Sequence, residues 1–350
     1  MKKVFAIVLT LAMLLAMTAC GNAPEAAAPA PTAAPTEATQ APTETEAPTE
    51  TTPAPAEPVN VMVLNGTTGF GMANLMDAAA NGASNQSYNF SVETDASNIV
   101  AALVNGSADI AALPTNAAAT VYSKTQGGVQ VLALNTLGVL YLVTDSSVEI
   151  NSMADLAGKT VYAPAQNPTF IFQHIVQANG LTDVTIDNTY AQPADLNTAV
   201  ASGQVAIAVL PEPMVTVAKS QNPELVVALD LTAQWDEVSP AGSLVQGCVV
   251  VRKDFADANP AAVAAFLEEY GASIENMLSD IEGTAAKIEA NGIFAKAAVA
   301  AKAIPNCNVC FIAGAEMKEA LGEFLNIMHG VAPASVGGNI PGDDFYYIAE

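Results

Sequence analysis

Few residues of this 350-residue chain have the chemistry of catalysis or metal binding. His174 and His329 are the two histidines, and their spacing does not fit a pair of metal ligands. Cys307 and Cys310 form a CxxC pair, but no second CxxC and no nearby histidine completes a zinc site. A local disulfide or two reduced structural thiols is the favoured interpretation of that pair. The sequence therefore predicts no metal, no cofactor and no Ser-His-Asp arrangement, and it favours a binding protein over an enzyme.

A glycine-rich loop at 65–71 is the first candidate for ligand binding. It carries the side chains of Asn65, Thr67, Thr68 and Phe70, and its glycines let the backbone approach a ligand closely. Amides at the start of the following helix favour an anionic or strongly polar group. The alternative is a loop whose glycines serve only the packing of strand on helix. No Lys-Ser/Thr follows to indicate a phosphate loop.

Four further loops have equivalent positions, because each follows a predicted strand and precedes a predicted helix. In open parallel sheets, ligands bind outside the carboxyl ends of the strands, near helix N-termini. The candidate ligand-binding residues of these loops are Asp95, Ser97, Thr115, Asn116, Gln166, Asn167, Thr169 and Glu212. Helix capping is the alternative role for Asp95, Ser97 and Thr115, and Ser97 is expected to cap a helix over 98–105.

The charges near these loops bear on the kind of ligand. Arg252 is the only arginine of the chain, and none of the five loops contains lysine. A bidentate arginine clamp for a carboxylate or sulfonate therefore requires Arg252, which is expected at the surface after a buried strand. Glu212 and Asp95 suit amino or cationic groups instead. The loops thus favour, weakly, a neutral or amine-bearing small molecule over an anion.

The elements that position these loops include a repeated unit. Residues 98–114 and 195–211 align without a gap at an offset of 97, and each reads as an apolar-faced helix, a glycine, a short apolar strand and a proline. Two copies predict two similar lobes with a cleft between them, each lobe a parallel sheet covered by helices. Strand-like runs at 129–144 and 244–252 are the expected crossings between lobes. After residue 252 the pattern predicts helices.

The N-terminal segment has the features of an export signal. Lys2 and Lys3 precede an apolar run of 14 residues, Val4–Met17, which suits a signal-peptide core and is short for a membrane span. Small residues and then Cys20 follow, a pattern that resembles a bacterial lipoprotein signal, with an ordinary secretory signal as the alternative. We therefore expect a signal peptide over 1–19.

The segment after the signal differs in composition from the rest of the chain. Residues 20–58 are almost all Ala, Pro, Thr and Glu, so they are expected to form a disordered tether that begins at lipidated Cys20. Residues 59–350 are long enough for one two-lobed domain. The formal net charge is −24, and it becomes −26 without residues 1–19, which hold two lysines and no acids. Such a surface repels nucleic acid, so no nucleic-acid partner is predicted.

Several motifs, taken in order, resemble those of extracytoplasmic solute-binding proteins of ABC importers. They are the glycine-rich loop Asn65–Gly71, the segment Gly106–Ala111 (GSADIA), the segment Met153–Val161 (MADLAGKTV) and the strand-to-helix segment Val249–Pro260. Among those proteins the chain is similar to the branch that handles nitrate, sulfonate, taurine and thiamine-precursor pyrimidines. The similarity extends over essentially all of the predicted domain, and its weight comes from the order of the motifs.

The resemblance implies an α/β chain with the type 2 periplasmic-binding-protein fold. Two Rossmann-like lobes would be joined by two hinge crossings around a central cleft, with lobe 1 at about 59–140 and 246–350 and lobe 2 at about 145–240. A small-molecule solute would close the cleft by hinge bending. The loaded monomer, anchored to the outer face of the membrane, would then dock on an ABC permease driven by its ATPase.

Two other functions stay open at this stage. The first is a surface sensor or receptor that uses the same domain without a permease. The second is an enzyme similar to the thiamine-pyrimidine synthases, although the chain has no Cys-rich iron motif like theirs.

Overall fold

The computed structural model of the protein describes residues 57–348. The predicted signal peptide, Cys20 and nearly all of the predicted tether therefore lie outside the described residues. The strands of the described part are β1 (Val59–Leu64), β2 (Tyr88–Glu93), β3 (Ile110–Pro114), β4 (Val129–Thr136), β5 (Leu140–Thr144), β6 (Thr160–Tyr162), β7 (Thr185–Asp187), β8 (Ile207–Pro211), β9 (Val226–Asp230), β10 (Gly247–Arg252) and β11 (Val309–Ala313).

Helices alternate with these strands and then dominate the last third of the chain. They are α1 (Thr67–Phe70), α2 (Ala73–Ala80), α3 (Ala96–Asn105), α4 (Thr115–Thr125), α5 (Asn167–Ala178), α6 (Pro193–Ala201), α7 (Met214–Gln221), α8 (Leu231–Asp236), α9 (Lys253–Ala258), α10 (Pro260–Ser279), α11 (Ile281–Ala290), α12 (Ala297–Ala303) and α13 (Gly314–Val331). No helix among residues 57–348 combines the length and the apolar character that crossing a membrane requires.

The strands form two sheets that share one plan, and each sheet is the centre of one lobe. The sheet of lobe 1 has the order β11-β4-β10-β3-β1-β2, and the sheet of lobe 2 has the order β7-β6-β8-β5-β9. In lobe 1, β1 lies parallel to β2 and β3, and β10 runs antiparallel to β3. In lobe 2, β6 lies parallel to β7 and β8, and β5 runs antiparallel to β8. The predicted α/β class with two Rossmann-like lobes is therefore confirmed.

The repeated unit of the sequence builds the same corner of each lobe. In α3 the buried residues Ile99, Ala102 and Leu103 recur at helical spacing, as Leu196, Ala199 and Val200 do in α6. Both helices are followed by a glycine with positive φ, 81° at Gly106 and 74° at Gly203, which a residue with a Cβ adopts only with strain. Each unit then continues into a strand, β3 or β8, whose first four residues are buried.

Two short crossings join the lobes. Residues 137–139 connect β4 to β5, and residues 237–246 connect α8 to β10. The crossings lie side by side, because Gln246 N donates to Thr136 O at 2.9 Å and Val139 N donates to Gln246 Oε1 at 2.8 Å. Each lobe thus receives one antiparallel strand, β5 or β10, directly from a crossing.

Two local expectations were wrong. The helix α3 begins two residues earlier than predicted, and its N-cap is Asp95, whose side chain accepts from Ser97 N at 2.8 Å. Ser97 therefore lies inside the helix and does not cap it. The segment after residue 252 contains one strand, β11, which pairs with β4 at the edge of the lobe 1 sheet.

Candidate functional site

A cavity of about 420 Å³ lies between the lobes, at the carboxyl ends of their parallel strands. Both lobes and both crossings contribute to its wall. The lining residues are Leu64, Asn65, Gly66, Thr67, Thr68, Thr94, Pro114, Thr136, Val139, Asn167, Pro168, Gln192, Pro193, Ala194, Pro211, Glu212, Pro213, Met214, Gln246 and Phe294. The volume suits a small molecule, and we call this cavity the cleft.

The turn from β1 into α1 forms the lobe 1 wall of the cleft. Thr67 is 7% exposed, and its Oγ1 donates to the carbonyl oxygen of Glu212 at 2.9 Å. This hydrogen bond joins the two lobes directly across the cleft. Thr136, at the end of β4, uses its hydroxyl to donate to Asn135 Oδ1 at 3.0 Å.

Three helices of lobe 2 begin at the opposite wall. Asn167 is the first residue of α5 and Pro193 the first of α6, while Pro213 precedes α7. Asn167 is 7% exposed, and its Oδ1 is buried without a hydrogen-bond partner among residues 57–348. A buried amide oxygen in that state is an acceptor to which a ligand can donate.

Glu212 is the only residue of the cleft wall whose side chain ionises as an acid or a base. Its carboxylate accepts from Thr216 N at 3.1 Å and from Thr216 Oγ1 at 3.0 Å. Burial raises the pKa of Glu212, against the lowering effect of the bonds from Thr216 and of the charge on Lys219. A second cavity, of about 330 Å³, adjoins Glu212 and is lined by Lys219 and Lys302 among others.

Five of the twelve predicted ligand-binding residues lie together in the cleft wall: Asn65, Thr67, Thr68, Asn167 and Glu212. The other seven are placed outside it: Phe70, Asp95, Ser97, Thr115, Asn116, Gln166 and Thr169. The five that meet come from three loops, one of lobe 1 that follows β1 and two of lobe 2 that follow β6 and β8.

The structure gives several of the seven residues other partners. Phe70 is fully buried, and its ring centroid lies 6.1 Å from that of Phe294. Thr115 is also fully buried, and its hydroxyl donates to Val245 O at 2.8 Å. Thr169 Oγ1 donates to Pro164 O at 2.7 Å.

The remaining candidates have solvent-facing positions. Asp95, Ser97 and Gln166 are exposed, and Asn116 is half-buried on α4. None of these four side chains is buried, and none of them forms part of the cleft wall.

Several lining residues were missed by the sequence analysis. They are Leu64, Thr94, Thr136, Val139, Gln192, Pro193, Ala194, Met214, Gln246 and Phe294. Val139 and Gln246 belong to the crossings and Thr136 ends the strand before the first one, so the predicted crossings were a usable signal for them. Phe294 lies between two helices of the C-terminal part, and no local pattern marks it.

Charged and metal-ligating groups are sparse around the cleft. Neither lysine nor arginine lines it, and within residues 57–348 no group of three or more His, Cys, Asp or Glu side chains could hold a metal ion. Arg252 instead forms ion pairs with Asp109 and Asp254, at 3.2 Å each. The side chains of the cleft can therefore bind and orient a solute through hydrogen bonds and apolar contact.

Several solved structures are similar to this one over most of its length. A protein described as an ABC transporter from Parabacteroides distasonis aligns with a TM-score of 0.71 and 23% identity, over 84% of this chain and 99% of that one. The periplasmic aliphatic sulphonate-binding protein SsuA of Escherichia coli aligns with a TM-score of 0.67 and 14% identity, over 83% and 96%.

A third similar structure holds a ligand. The alkanesulfonate-binding protein SsuA of Xanthomonas axonopodis pv. citri, bound to MOPS, aligns with a TM-score of 0.60 and 14% identity, over 83% of this chain and 96% of that one. These likenesses show the periplasmic-binding-protein fold.

Comparison with curated protein sequences finds no match. A family model described as NMT1/THI5 like matches residues 89–282, more than half of the chain. The chain belongs to the NMT1/THI5-like family.

Proposed function

We propose that this protein is the solute-binding component of an ABC importer. It captures a small molecule in the cleft and delivers it to a permease. The observation that carries this proposal is the cleft itself, which is lined from both lobes and from both crossings. The fold shared with ABC transporter binding proteins supports it as well. The side chains of the cleft wall are suited to positioning a solute rather than to transferring a proton or a chemical group. They therefore favour solute capture over catalysis.

Hinge bending at the crossings is the proposed mechanism of capture. Residues 137–139 and 237–246 are the covalent links between the lobes, so modest backbone rotation there changes the separation of the cleft walls. The bond from Thr67 Oγ1 to Glu212 O forms when the walls meet. A solute that contacts both walls favours this closed arrangement, because its contacts exist only there.

A thermal-shift screen of the purified full chain tests solute capture. The compounds would span sulfonates, nitrate, aminopyrimidines, nucleobases, amino acids and polyamines. A true ligand at a hundred times its dissociation constant stabilises the folded protein by about 2.7 kcal/mol, which raises the melting temperature by a few degrees. Turnover of a hit by the pure protein would contradict the binding role and favour the enzyme alternative.

Delivery to a permease requires a separate test. Deletion of the permease and ATPase genes next to this one, if the two are present, is expected to abolish uptake of the identified solute by cells. Restored uptake on complementation with those genes supports the importer. Capture of the solute without any dependent uptake would instead favour the surface sensor.

We also propose that the chain is held at the outer face of the membrane by a lipid on Cys20. The supporting observation is the apolar run followed by small residues and this cysteine. Metabolic labelling with an alkyne-bearing fatty acid is expected to mark the wild-type protein and not the Cys20→Ala variant. A Cys310→Ala variant is the matched control and should label as the wild type does. Equal labelling of all three proteins would refute the anchor.

A further inference from the structure

The wall of the cleft disfavours anions. This differs from what the two similar SsuA structures suggest, since these are described as sulfonate-binding proteins. No lysine, arginine or histidine lines it, and its one ionisable side chain is the acid Glu212. Arg252 is held by Asp109 and Asp254 elsewhere. Lys219 and Lys302 line the separate cavity that adjoins Glu212. A bound anion would therefore find no opposite side-chain charge within the cleft wall.

Helix N-termini, the other usual source of anion binding, are modified here by proline. Anions bind there because the first amide N–H groups of a helix have no partner within the helix. Proline has no N–H. The cleft wall contains Pro168 in the first turn of α5, Pro193 at the start of α6, Pro213 before α7 and Pro114 before α4. Four helices thus each present a position without an amide donor toward the solute.

Some of the hydrogen-bond donors in the cleft wall already bond to other groups of the protein. The first amide of α4, Thr115 N, donates to Gln246 O at 3.1 Å. The hydroxyls of Thr67 and Thr136 donate to Glu212 O and to Asn135 Oδ1. Oxyanions need several donors at once when no cation is present. Two hydroxyls and one helix-start amide of the cleft wall are thus used within the protein.

One buried acceptor of the cleft wall has no partner within the described part of the chain. Asn167 is 93% buried, lines the cleft, and has an Oδ1 without a hydrogen-bond partner among residues 57–348. A buried acceptor without a hydrogen-bond partner costs free energy until a donor reaches it. Apolar side chains complete the wall around it, those of Leu64, Val139, Met214 and Phe294. A ligand that matches this wall donates a hydrogen bond to Asn167 and places an apolar surface against its neighbours.

We propose that the cleft selects an organic solute without net negative charge that donates an N–H or O–H hydrogen bond to Asn167 Oδ1. The absence of cations and the prolines at four helix starts disfavour sulfonates and other oxyanions. This inference rests on the proposed function, because it assigns a solute class to the same cleft.

Fractionated metabolites test the charge of the solute. A small-molecule cell extract is separated by strong anion exchange at pH 7 into a retained, anionic fraction and an unretained fraction. We expect the unretained fraction alone to raise the melting temperature of the full chain. Stabilisation by the retained fraction, or by ethanesulfonate, overturns the inference while solute capture stands. Stabilisation by neither fraction contradicts solute capture itself, and the inference falls with it.

Two substitutions at one position test the acceptor. Asn167→Leu keeps the size of the side chain and removes the acceptor, so it should weaken binding of the stabilising compound by about tenfold. Asn167→Asp keeps an acceptor and should retain binding within about threefold. Asn89→Leu, on the exposed edge strand β2, is the matched control and should bind as the wild type does. Equal loss in the Leu and Asp variants, or loss in neither, overturns the role of Asn167.

Discussion

Thr67 Oγ1 donates a 2.9 Å hydrogen bond to the carbonyl oxygen of Glu212, a residue 145 positions later in the other lobe. A second direct bond between the lobes runs from Tyr141 OH to Asn306 O, also at 2.9 Å. Both bonds join groups of the protein itself, one from each lobe. The walls of the cleft are therefore held together by the protein's own groups, and the solute adds to an arrangement that the chain already stabilises.

Replacing Thr67 with valine should loosen this closure. Valine keeps the branched shape but cannot donate to Glu212 O, and a typical hydrogen bond contributes about 1 kcal/mol. We expect the free energy of unfolding to fall by about that amount. The radius of gyration of the ligand-free protein should rise, because the open arrangement gains population. Urea unfolding and small-angle X-ray scattering measure the two effects.

The matched control is Thr120→Val. Thr120 Oγ1 donates to Asn116 O at 3.0 Å within α4, so its loss does not touch the contact between the lobes. The control should leave the radius of gyration unchanged. An equal radius for wild type and Thr67→Val would show that the bond does not determine closure.

The two lobes were predictable from sequence because their signal is local. The buried faces of α3 and α6, the glycines that end them and the buried strands β3 and β8 all lie within two segments of 17 residues. Asn167 and Glu212 were predictable for a similar reason. Each directly follows a strand or its connecting turn, where the parallel-sheet rule places ligands.

Other features depend on contacts that are distant in sequence. Phe294 reaches the cleft only because α11 packs beside α2, and nothing in its local sequence marks that. Thr115 has a residue type that fits a ligand contact or a cap, and the fold uses its hydroxyl for a bond to Val245 O. The strand β11 is short and partly exposed, so its pattern did not stand out among helices.

Glu212 should make stability depend on pH in an unusual direction. Burial raises its pKa above the ordinary 4.5, so the folded protein holds this proton more tightly than the unfolded chain does. The stabilising contribution is complete below pH 4.5 and is lost as the pH rises through the raised pKa. Glu212→Gln cannot titrate. The variant should therefore gain stability relative to the wild type between pH 4 and pH 7.

Urea unfolding of the wild type and of the Glu212→Gln variant at pH 4 and at pH 7 measures the difference in unfolding free energy between the two proteins. The pKa values of Asp95, Asp145, Asp155 and Asp187 are lowered by hydrogen bonds that their carboxylates accept. Their contributions are lost in acid, but they are common to both proteins and cancel. A difference in unfolding free energy that stays constant with pH would contradict the role of burial at Glu212.

Gly138 is expected to be intolerant of substitution because it lies in the first crossing. A Cβ at this position would overlap Thr232 Oγ1 and approach Leu244 Cδ2. Gly138→Ala should therefore destabilise the protein by about 1–3 kcal/mol. Gly330→Ala is the matched control, since a Cβ there meets no atom within 4 Å and the residue lies in α13. The control should stabilise by about 0.5–1 kcal/mol, and an equal effect of both changes on urea unfolding would refute the steric argument.

The three described cysteines should resist alkylation until the protein unfolds. Cys248, Cys307 and Cys310 are free thiols, and burial raises the pKa of Cys307 and of Cys310 to about 12. The thiolate is the reactive form, so at pH 8 these groups react slowly even where a reagent reaches them. Mass spectrometry after a short treatment with iodoacetamide should find all three unmodified in the native protein. All three should be modified in 8 M urea without a reductant. Rapid alkylation of native Cys307 would contradict its burial, and failure of Cys307 and Cys310 to react in urea would reveal a disulfide between them.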